Sequence, residues 1–228
     1  MQSTKYQKDR LSNYTLTTAV SRQVEEKILA GELASGDKII EEDLAHEIGV
    51  SRTPVKIALV ELANEGIIEV IPRRGAFVKH FSREDLFKIH QVRAVLEGLA
   101  GRLAAPLFTR RDVEYLQENI ESYVSLIPMS ASPDSKERNR ISMQMKHLDL
   151  DFHNYILDKT ENEYLISTAQ KKHLQFQCFM NTNWNLYDSA ECNRVAREHQ
   201  EIARALGQNQ AERSETLLKK HIMIPEDE

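Results

Sequence analysis

The chain has 228 residues, of which 41% are apolar and 29% charged, with a formal net charge of −5. This length suits two domains, and the composition is that of a globular protein with enough aliphatic side chains to build cores. No window approaches the roughly 18 consecutive apolar residues of a membrane span, and the polar N-terminus lacks the apolar segment of a secretory signal. We therefore expect a cytoplasmic protein in which Cys178 and Cys192 are reduced thiols.

The first 80 residues predict three helices, a short strand and a hairpin. They are a helix with an apolar stripe from Leu16 to Ile28, an edge strand at Lys38–Ile40, helices at Glu41–Ile48 and Ser51–Glu65, and strands at Ile67–Ile71 and Ala76–Val78. Gly49 suits the left-handed position after the second helix, and Pro54 falls in the first turn of the third, where its missing N–H costs nothing. Two helices joined by a turn of about three residues and followed by a hairpin indicate a winged helix-turn-helix.

Basic side chains occur at two places in this predicted domain where they can meet DNA. Residues 1–80 carry 11 Lys or Arg and 12 Asp or Glu, yet Val50–Val60 and Val70–His80 contain basic residues and no acid. A recognition helix meets base edges and phosphates with its N-terminal turn, and a wing tip reaches the minor groove or flanking phosphates. The candidate DNA-binding residues are Ser51, Arg52, Thr53, Lys56, Arg73 and Arg74.

The rest of the chain predicts helices and no convincing strand. Ser82 followed by Asp85 marks a helix start, and apolar residues keep helical period from there to Ala105. Further helices fit Asp112–Ile127, Ile141–Lys159, Glu163–Met180, Asp188–Leu206 and Gln210–Ile222, with a flexible loop at Pro128–Asn139. We expect fraying over about the first dozen residues and at Pro225–Glu228. The predicted fold is mostly α, with a winged helix-turn-helix at residues 14–80 and an all-α helical bundle at residues 82–223.

Four residues of the helical half carry side chains that commonly bind metal ions: Asp149, His153, His199 and His221. Asp149 and His153 are four residues apart, which places them on one helix face. Three imidazoles and a carboxylate suit a divalent ion such as Zn²⁺, Ni²⁺ or Mn²⁺. From spacing alone, the Asp149–His153 pair can equally be a surface ion pair, and a single histidine is more often a surface or core residue than a ligand.

The run GDKIIEEDLAHEIGVSRTPVKIALVELANEGIIEVIPRRGAFV resembles the DNA-binding domain of the GntR family of bacterial regulators. The segments GVSRTPV, EG and PRRGAFV stand in the order of that family. The resemblance implies that Arg52, Thr53 and Lys56 contact the operator from the recognition helix, and that Arg74 and Gly75 do so from the wing. The family usually has an arginine and an acidic residue after the Pro-Val pair, whereas this chain has Lys56 and Ile57. Lysine lacks the bidentate fork of arginine, and the isoleucine can instead pack against a neighbouring element.

The segments HLDLDFHNYIL, REHQEIARAL and KKHI are similar to the metal-binding pattern of the FCD domain, the effector module of FadR-like GntR regulators. The resemblance extends from Ser82 to Ile222 and implies that the four metal-binding candidates hold one ion. HQVRAVLEGLAGRLAA resembles the first helix of that domain, whose arginine, here Arg93, faces the effector pocket. Arg93 would bind an effector carboxylate, or it forms a salt bridge with Glu97 one turn on. In HLQFQCFMNTNW, the amides of Gln177 and Asn181 suit the hydroxyls of a sugar acid, or they are simply solvated.

These observations predict a ligand-responsive repressor that binds palindromic operator DNA as a homodimer and is modulated by a small organic acid at a metal centre. Two alternatives stay open. One is a metal-responsive regulator that needs no organic ligand. The other is a metallohydrolase, because three histidines and an aspartate can also form a catalytic metal site. The sequence contains no HExxH and no GxSxG, so we expect no enzyme activity.

Overall fold

The computed structural model describes residues 3–183 and 189–223, with side chains described for residues 16–178 and 189–223. Its elements in chain order are α1 (Ser3–Leu29), β1 (Lys38–Ile39), α2 (Glu41–Ile48), α3 (Arg52–Asn64), β2 (Ile68–Ile71), β3 (Gly75–Val78), α4 (Arg83–Ala104), α5 (Arg110–Leu126), α6 (Ser135–Asp158), α7 (Glu163–Asn183), α8 (Ser189–Gly207) and α9 (Ala211–Ile222). They form two compact units. The N-terminal unit runs to Ser82 and includes Leu174–Asn183 from α7, and the C-terminal unit contains the segment Arg83–His173 together with α8 and α9.

The N-terminal unit contains the predicted helix-turn-helix and hairpin. Helix α1 packs against α3, and these helices and β2 bury a shared set of aliphatic side chains: Val20, Val24, Ile28, Val55, Leu59, Leu62 and Ile68. The three strands form an antiparallel sheet in the order β1-β3-β2. The winged helix-turn-helix predicted from the sequence is therefore confirmed.

Helices α1 and α6 begin several residues earlier than the sequence pattern predicts. Helix α1 starts at Ser3 rather than after a frayed N-terminus, because neither glycine nor proline interrupts the sequence before Leu29. Helix α6 starts at Ser135, inside the predicted loop, because the carboxylate of Asp134 accepts a hydrogen bond of 2.9 Å from the backbone N–H of Lys136. Such a cap satisfies one of the unpaired N–H groups of a helix start.

The C-terminal unit is all-helical in its described residues, as predicted. Helix α4 packs against α9 and α6, and α5 packs against α6 and α8. Their shared core consists mainly of aliphatic side chains around one phenylalanine, and includes Leu116, Phe152, Ile156, Ile202, Leu206 and Leu218. No helix in the described part of the chain is both long and apolar enough to cross a membrane.

Candidate DNA-binding surface and metal centre

The N-terminus of α3 presents the predicted recognition residues at the surface. The side chains of Ser51, Arg52, Thr53 and Lys56 are all exposed. Ser51 occupies the N-cap position in extended conformation, and its side chain makes no capping hydrogen bond. One guanidinium nitrogen of Arg52, Nη2, lies 3.5 Å from Oε2 of Glu41. A helix N-terminus without a side-chain cap and flanked by basic residues is suited to a phosphate group.

The hairpin between β2 and β3 presents two arginines at its tip. The tight turn is closed by a 3.0 Å hydrogen bond from the N–H of Arg74 to the carbonyl of Ile71, and it requires positive φ angles of 65° at Arg73 and 106° at Gly75. Arg73 and Arg74 are exposed, and the Arg74 guanidinium lies 5.5 Å from the centre of the Phe77 ring. This contact, within cation–π range, supports one guanidinium at the end of the wing.

The four metal-binding candidates, distant in sequence, come together inside the C-terminal unit. Asp149 and His153 lie on α6, His199 on α8 and His221 on α9, and each offers one ligand atom within 4.8 Å of the others. Nε2 of His199 lies 3.2 Å from Nε2 of His221 and 3.6 Å from Oδ1 of Asp149. Nε2 of His153 lies 4.0 Å from the same Asp149 oxygen. The cluster is thus built from three helices around one point.

These separations and this donor set fit a divalent ion. Ligand atoms bound tetrahedrally at 2.0–2.1 Å from zinc lie about 3.3 Å apart, close to the shorter distances in the cluster. The Nε2 atoms of His199 and His221 face each other in the interior, where two lone pairs repel unless a proton or a cation lies between them. Three imidazoles with one carboxylate are the ligands expected for Zn²⁺, Ni²⁺ or Mn²⁺.

Two glutamates that the sequence analysis did not assign to this site lie behind the histidines. Nδ1 of His221 donates a 2.7 Å hydrogen bond to Oε2 of Glu198, and Nδ1 of His153 lies 2.6 Å from Oε2 of Glu97. A carboxylate hydrogen-bonded to Nδ1 keeps the imidazole proton on that nitrogen and directs the Nε2 lone pair toward a metal. Glu198 therefore orients His221 toward the cluster, whereas the close contact of Glu97 with Nδ1 of His153 is not aligned as a hydrogen bond.

Burial keeps two of the imidazoles uncharged. It lowers the pKa of His199 well below its ordinary 6.5, and the neighbouring His221 and His153 lower that pKa further. Burial also lowers the pKa of His221, although the hydrogen bond to Glu198 opposes the shift. Because a metal binds only the neutral imidazole, these shifts favour metal binding at neutral pH.

Glu97 connects the cluster to the predicted effector residue Arg93. Nε of Arg93 donates to Oε1 of Glu97 at 2.9 Å, so the salt bridge considered from the sequence is present, with both residues at most 4% exposed. Nε2 of His173 contacts the same oxygen at 2.8 Å. Burial raises the pKa of Glu97, but the charges of Arg93, His173 and His153 outweigh it and hold that pKa well below its ordinary value. Arg93 and the metal-binding candidate His153 therefore share one carboxylate.

No described contact joins either predicted effector amide, Gln177 or Asn181, to Arg93. Gln177 is buried, and it belongs to the segment Leu174–Asn183 of the N-terminal unit. In the same segment, Nε2 of Gln175 donates a 2.9 Å hydrogen bond to the carbonyl of Glu65, at the end of α3. The side chain of Asn181 lies outside the described residues. A role of these amides in effector binding stays a prediction.

Two family sequence patterns together match most of the described chain. The sequence pattern of bacterial regulatory proteins of the gntR family matches residues 16–78, and that of the FCD domain matches residues 88–223. The Glc operon transcriptional activator of Escherichia coli K12 is 27% identical over 221 residues, which cover 89% of this chain and 84% of that protein. A probable D-xylose utilization operon transcriptional repressor of Paenarthrobacter nicotinovorans is 36% identical over 96 residues, or 42% of each protein.

Several curated relatives are matched over less than two thirds of their own length, as the D-xylose protein is at 42%. Among solved structures, McbR of Escherichia coli is similar with a TM-score of 0.76, at 21% identity and with 91% of this chain and 93% of that chain covered. That similarity shows that this chain and McbR share a fold.

Proposed function

This chain belongs to the gntR family of bacterial regulatory proteins and carries an FCD domain. We propose that it is a repressor controlled by a small organic acid. It binds palindromic operator DNA as a homodimer. The observation that carries the proposal is the convergence of four metal-binding side chains in the helical unit of a chain that also has a basic recognition helix and wing. Repression follows the name of the D-xylose relative rather than that of the Glc relative.

The recognition helix supplies the base contacts in this proposal. Arg52 has the planar fork that pairs with O6 and N7 of guanine, and Lys56 follows one turn later on the same face. The hydroxyls of Ser51 and Thr53 and the helix N-terminus donate to phosphate. In the wing, Arg73 and Arg74 enter the minor groove, and Gly75 allows the backbone to approach the DNA closely.

The helical unit supplies the response to ligand. Asp149, His153, His199 and His221 would hold one Zn²⁺, Ni²⁺ or Mn²⁺ ion, which when bound supplies a Lewis-acid site for a carboxylate oxygen. Arg93 provides a second, cationic contact for that carboxylate, while Glu97 fixes the position of the guanidinium. Gln177 and Asn181 offer amides for hydroxyl groups of the effector.

The dimer has one state with high and one with low operator affinity, and the effector binds these two states with unequal affinity. The free energy difference between its affinities for these states sets the change in operator affinity, and couplings of this kind are typically about 1–3 kcal/mol, or roughly 5- to 150-fold. We therefore expect the effector to weaken operator binding while the protein stays folded, because both states are folded.

The DNA-binding part is tested by selecting tight-binding duplexes from a random library and measuring their affinity for variants. Arg52→Ala and Arg74→Ala should each weaken binding about 10-fold or more. Arg110→Ala is the matched control, because that guanidinium is 93% exposed on α5 in the other unit. If both arginine variants retained the affinity of the unmodified protein, the proposed DNA surface would be wrong.

The ligand-binding part is tested by thermal shift. Gluconate and lactate are each added to zinc-loaded protein and to the same protein after chelation. A shift seen only with metal supports the proposal, and an equal shift without metal contradicts the role of the four metal-binding candidates. Operator release by metal alone would favour the metal sensor, and metal-dependent hydrolysis of esters or lactones would favour the metallohydrolase.

A further inference from the structure

Helix α3 carries two branched aliphatic side chains on its outer face. Ile57 is 44% exposed and Val60 is 53% exposed, and their spacing along the helix makes them neighbours on its surface. The opposite face of α3, which includes Val55, Leu59 and Leu62, is almost completely buried in the N-terminal unit. Ile57 and Val60 therefore point away from the interior. We call these two residues the aliphatic pair of α3.

The aliphatic pair of α3 lies among the residues of the proposed DNA surface. Thr53 precedes Ile57 by one helical turn and Lys56 precedes Val60 by one turn, so each polar side chain adjoins one member of the pair. All four are exposed, and Val50–Val60 contains no acidic residue. A complementary partner has negative charge at its edges and apolar groups between them. The major groove of DNA has both, since phosphates line it and thymine presents a methyl group within it.

Folding of the N-terminal unit does not explain the isoleucine at position 57. A β-branched residue loses side-chain freedom in a helix, and alanine, lysine or glutamate would form an exposed helix better. Ile57 also leaves apolar surface in water. The family usually has an acidic residue at this position, and a carboxylate accepts a hydrogen bond from N4 of cytosine. An aliphatic side chain cannot do so, but it can pack against the methyl group that thymine carries and cytosine lacks.

We propose that Ile57 reads a thymine of the operator by packing against its C5 methyl group, and that Val60 extends this apolar contact. The inference rests on the DNA binding of the proposed function and names a base that this chain recognises. Ile57 lies about 7.5 Å further along the helix axis than Arg52. Because base pairs are about 3.4 Å apart, the thymine is expected within about two base pairs of the guanine that Arg52 contacts. A palindromic operator presents this thymine once in each half-site.

The proposal is tested with the tightest duplex that the zinc-loaded, full-length protein selects from a random library. Each pair of thymines related by the palindrome is replaced in turn by deoxyuridine, which lacks only the C5 methyl group. Affinity is measured by fluorescence anisotropy at one salt concentration, because salt changes all such affinities. Burial of one methyl group contributes about 4-fold to an equilibrium constant, so losing one in each half-site should weaken binding about 15-fold at the position that Ile57 contacts.

Two variants connect this effect to Ile57. Ile57→Ala should bind the selected duplex at least about 15-fold more weakly, and deoxyuridine at the sensitive position should then have no further effect, because the contact is already lost. Val124→Ala is the matched control, because Val124 is an aliphatic residue that is 40% exposed on α5, in the other unit. It should keep both the affinity and the deoxyuridine sensitivity of the unmodified protein.

Each outcome of this experiment has a definite meaning. If the protein selects no duplex, the DNA-binding part of the proposed function fails and this inference fails with it. If a duplex is selected but no deoxyuridine replacement weakens binding, only the inference is overturned. Equal deoxyuridine sensitivity of Ile57→Ala and the unmodified protein would also overturn it. Should Ile57→Ala not fold, as judged by circular dichroism, Ile57→Gln decides by the same measurement.

Discussion

Replacing Glu97 by glutamine tests the junction between the metal-binding candidates and Arg93. The carboxylate is 2% exposed and contacts Arg93 at 2.9 Å, His173 at 2.8 Å and His153 at 2.6 Å. Glutamine has nearly the same shape but no charge. Glu97→Gln therefore removes the charge that compensates a buried guanidinium and replaces the carboxylate beside Nδ1 of His153 with a neutral amide.

Two separate losses follow from this substitution. Removing one partner of a buried ion pair typically costs about 3–5 kcal/mol of folding free energy, because the other charge stays in the interior. Losing the carboxylate behind a metal-binding histidine typically lowers metal affinity by about 10- to 100-fold, which is roughly 1.4–2.7 kcal/mol. We therefore expect Glu97→Gln to lower both the stability of the metal-free protein and its affinity for zinc.

Glu198→Gln is the control that separates the two losses. Glu198 supports His221 at 2.7 Å, but its side chain is 25% exposed. Its cationic partner Arg194 keeps a second carboxylate, that of Glu191. Glu198→Gln should therefore lower zinc affinity about 10-fold or more while changing the stability of the metal-free protein by about 1 kcal/mol or less.

Urea unfolding of the metal-free proteins measures the first loss, and zinc titration in competition with a chelator measures the second. Combining Glu97→Gln with Arg93→Met should recover much of the lost stability, because both charges are then removed. The reasoning is refuted if Glu97→Gln unfolds at the urea concentration of the unmodified protein and binds zinc equally well.

Two further predictions concern stability. Gly101→Ala places a methyl group 2.4 Å from Cδ1 of Leu218 and should cost about 1–3 kcal/mol. Gly98→Ala, on the same helix, meets Cγ of Lys219 at 2.7 Å and should cost less than Gly101→Ala, because its three nearest atoms all belong to one lysine side chain and none to the backbone; thermal unfolding checks both. In metal-free protein, the folded-state pKa of His199 lies well below the 6.5 of an unfolded chain. The unfolded state then binds more protons as the pH falls below 6.5, so the free energy of unfolding should fall over that range. Urea titrations at several pH values should show a shallower fall for His199→Asn.

The DNA-binding unit could be predicted closely because its signals are local. Gly49 adopts the expected left-handed conformation with φ of 75°, and α3 begins at Arg52, directly after the predicted cap position Ser51. The exposure of single side chains was less predictable: Leu16, the first residue of the predicted apolar stripe, is 38% exposed, and Ile57 is 44% exposed. Propensity and spacing describe a turn or a helix end well, whereas they do not fix how deeply each apolar side chain is buried.

The residues behind the metal cluster could not be predicted, because their partners are far away in the sequence. His173 and Glu97 are 76 positions apart, and Glu198 reaches His221 from a different helix. From the sequence, Glu97 was visible only as a local partner of Arg93. Glutamates and histidines are common on helix surfaces, so only the packing of α4, α6, α8 and α9 distinguishes these from solvated residues.

Helix α4 departs from the usual amphipathic pattern on both faces, and each departure has a cost. Burying Arg93 and Glu97 removes two charges from water, and exposing Val95 and Leu99 leaves apolar surface in water. If folding of one chain were the only requirement, exchanging the two faces would relieve both costs. Departures from such local rules concentrate where binding offsets them. The buried ion pair of Arg93 and Glu97 is therefore the feature of α4 that folding alone does not explain, and its carboxylate lies directly behind the metal-binding candidate His153.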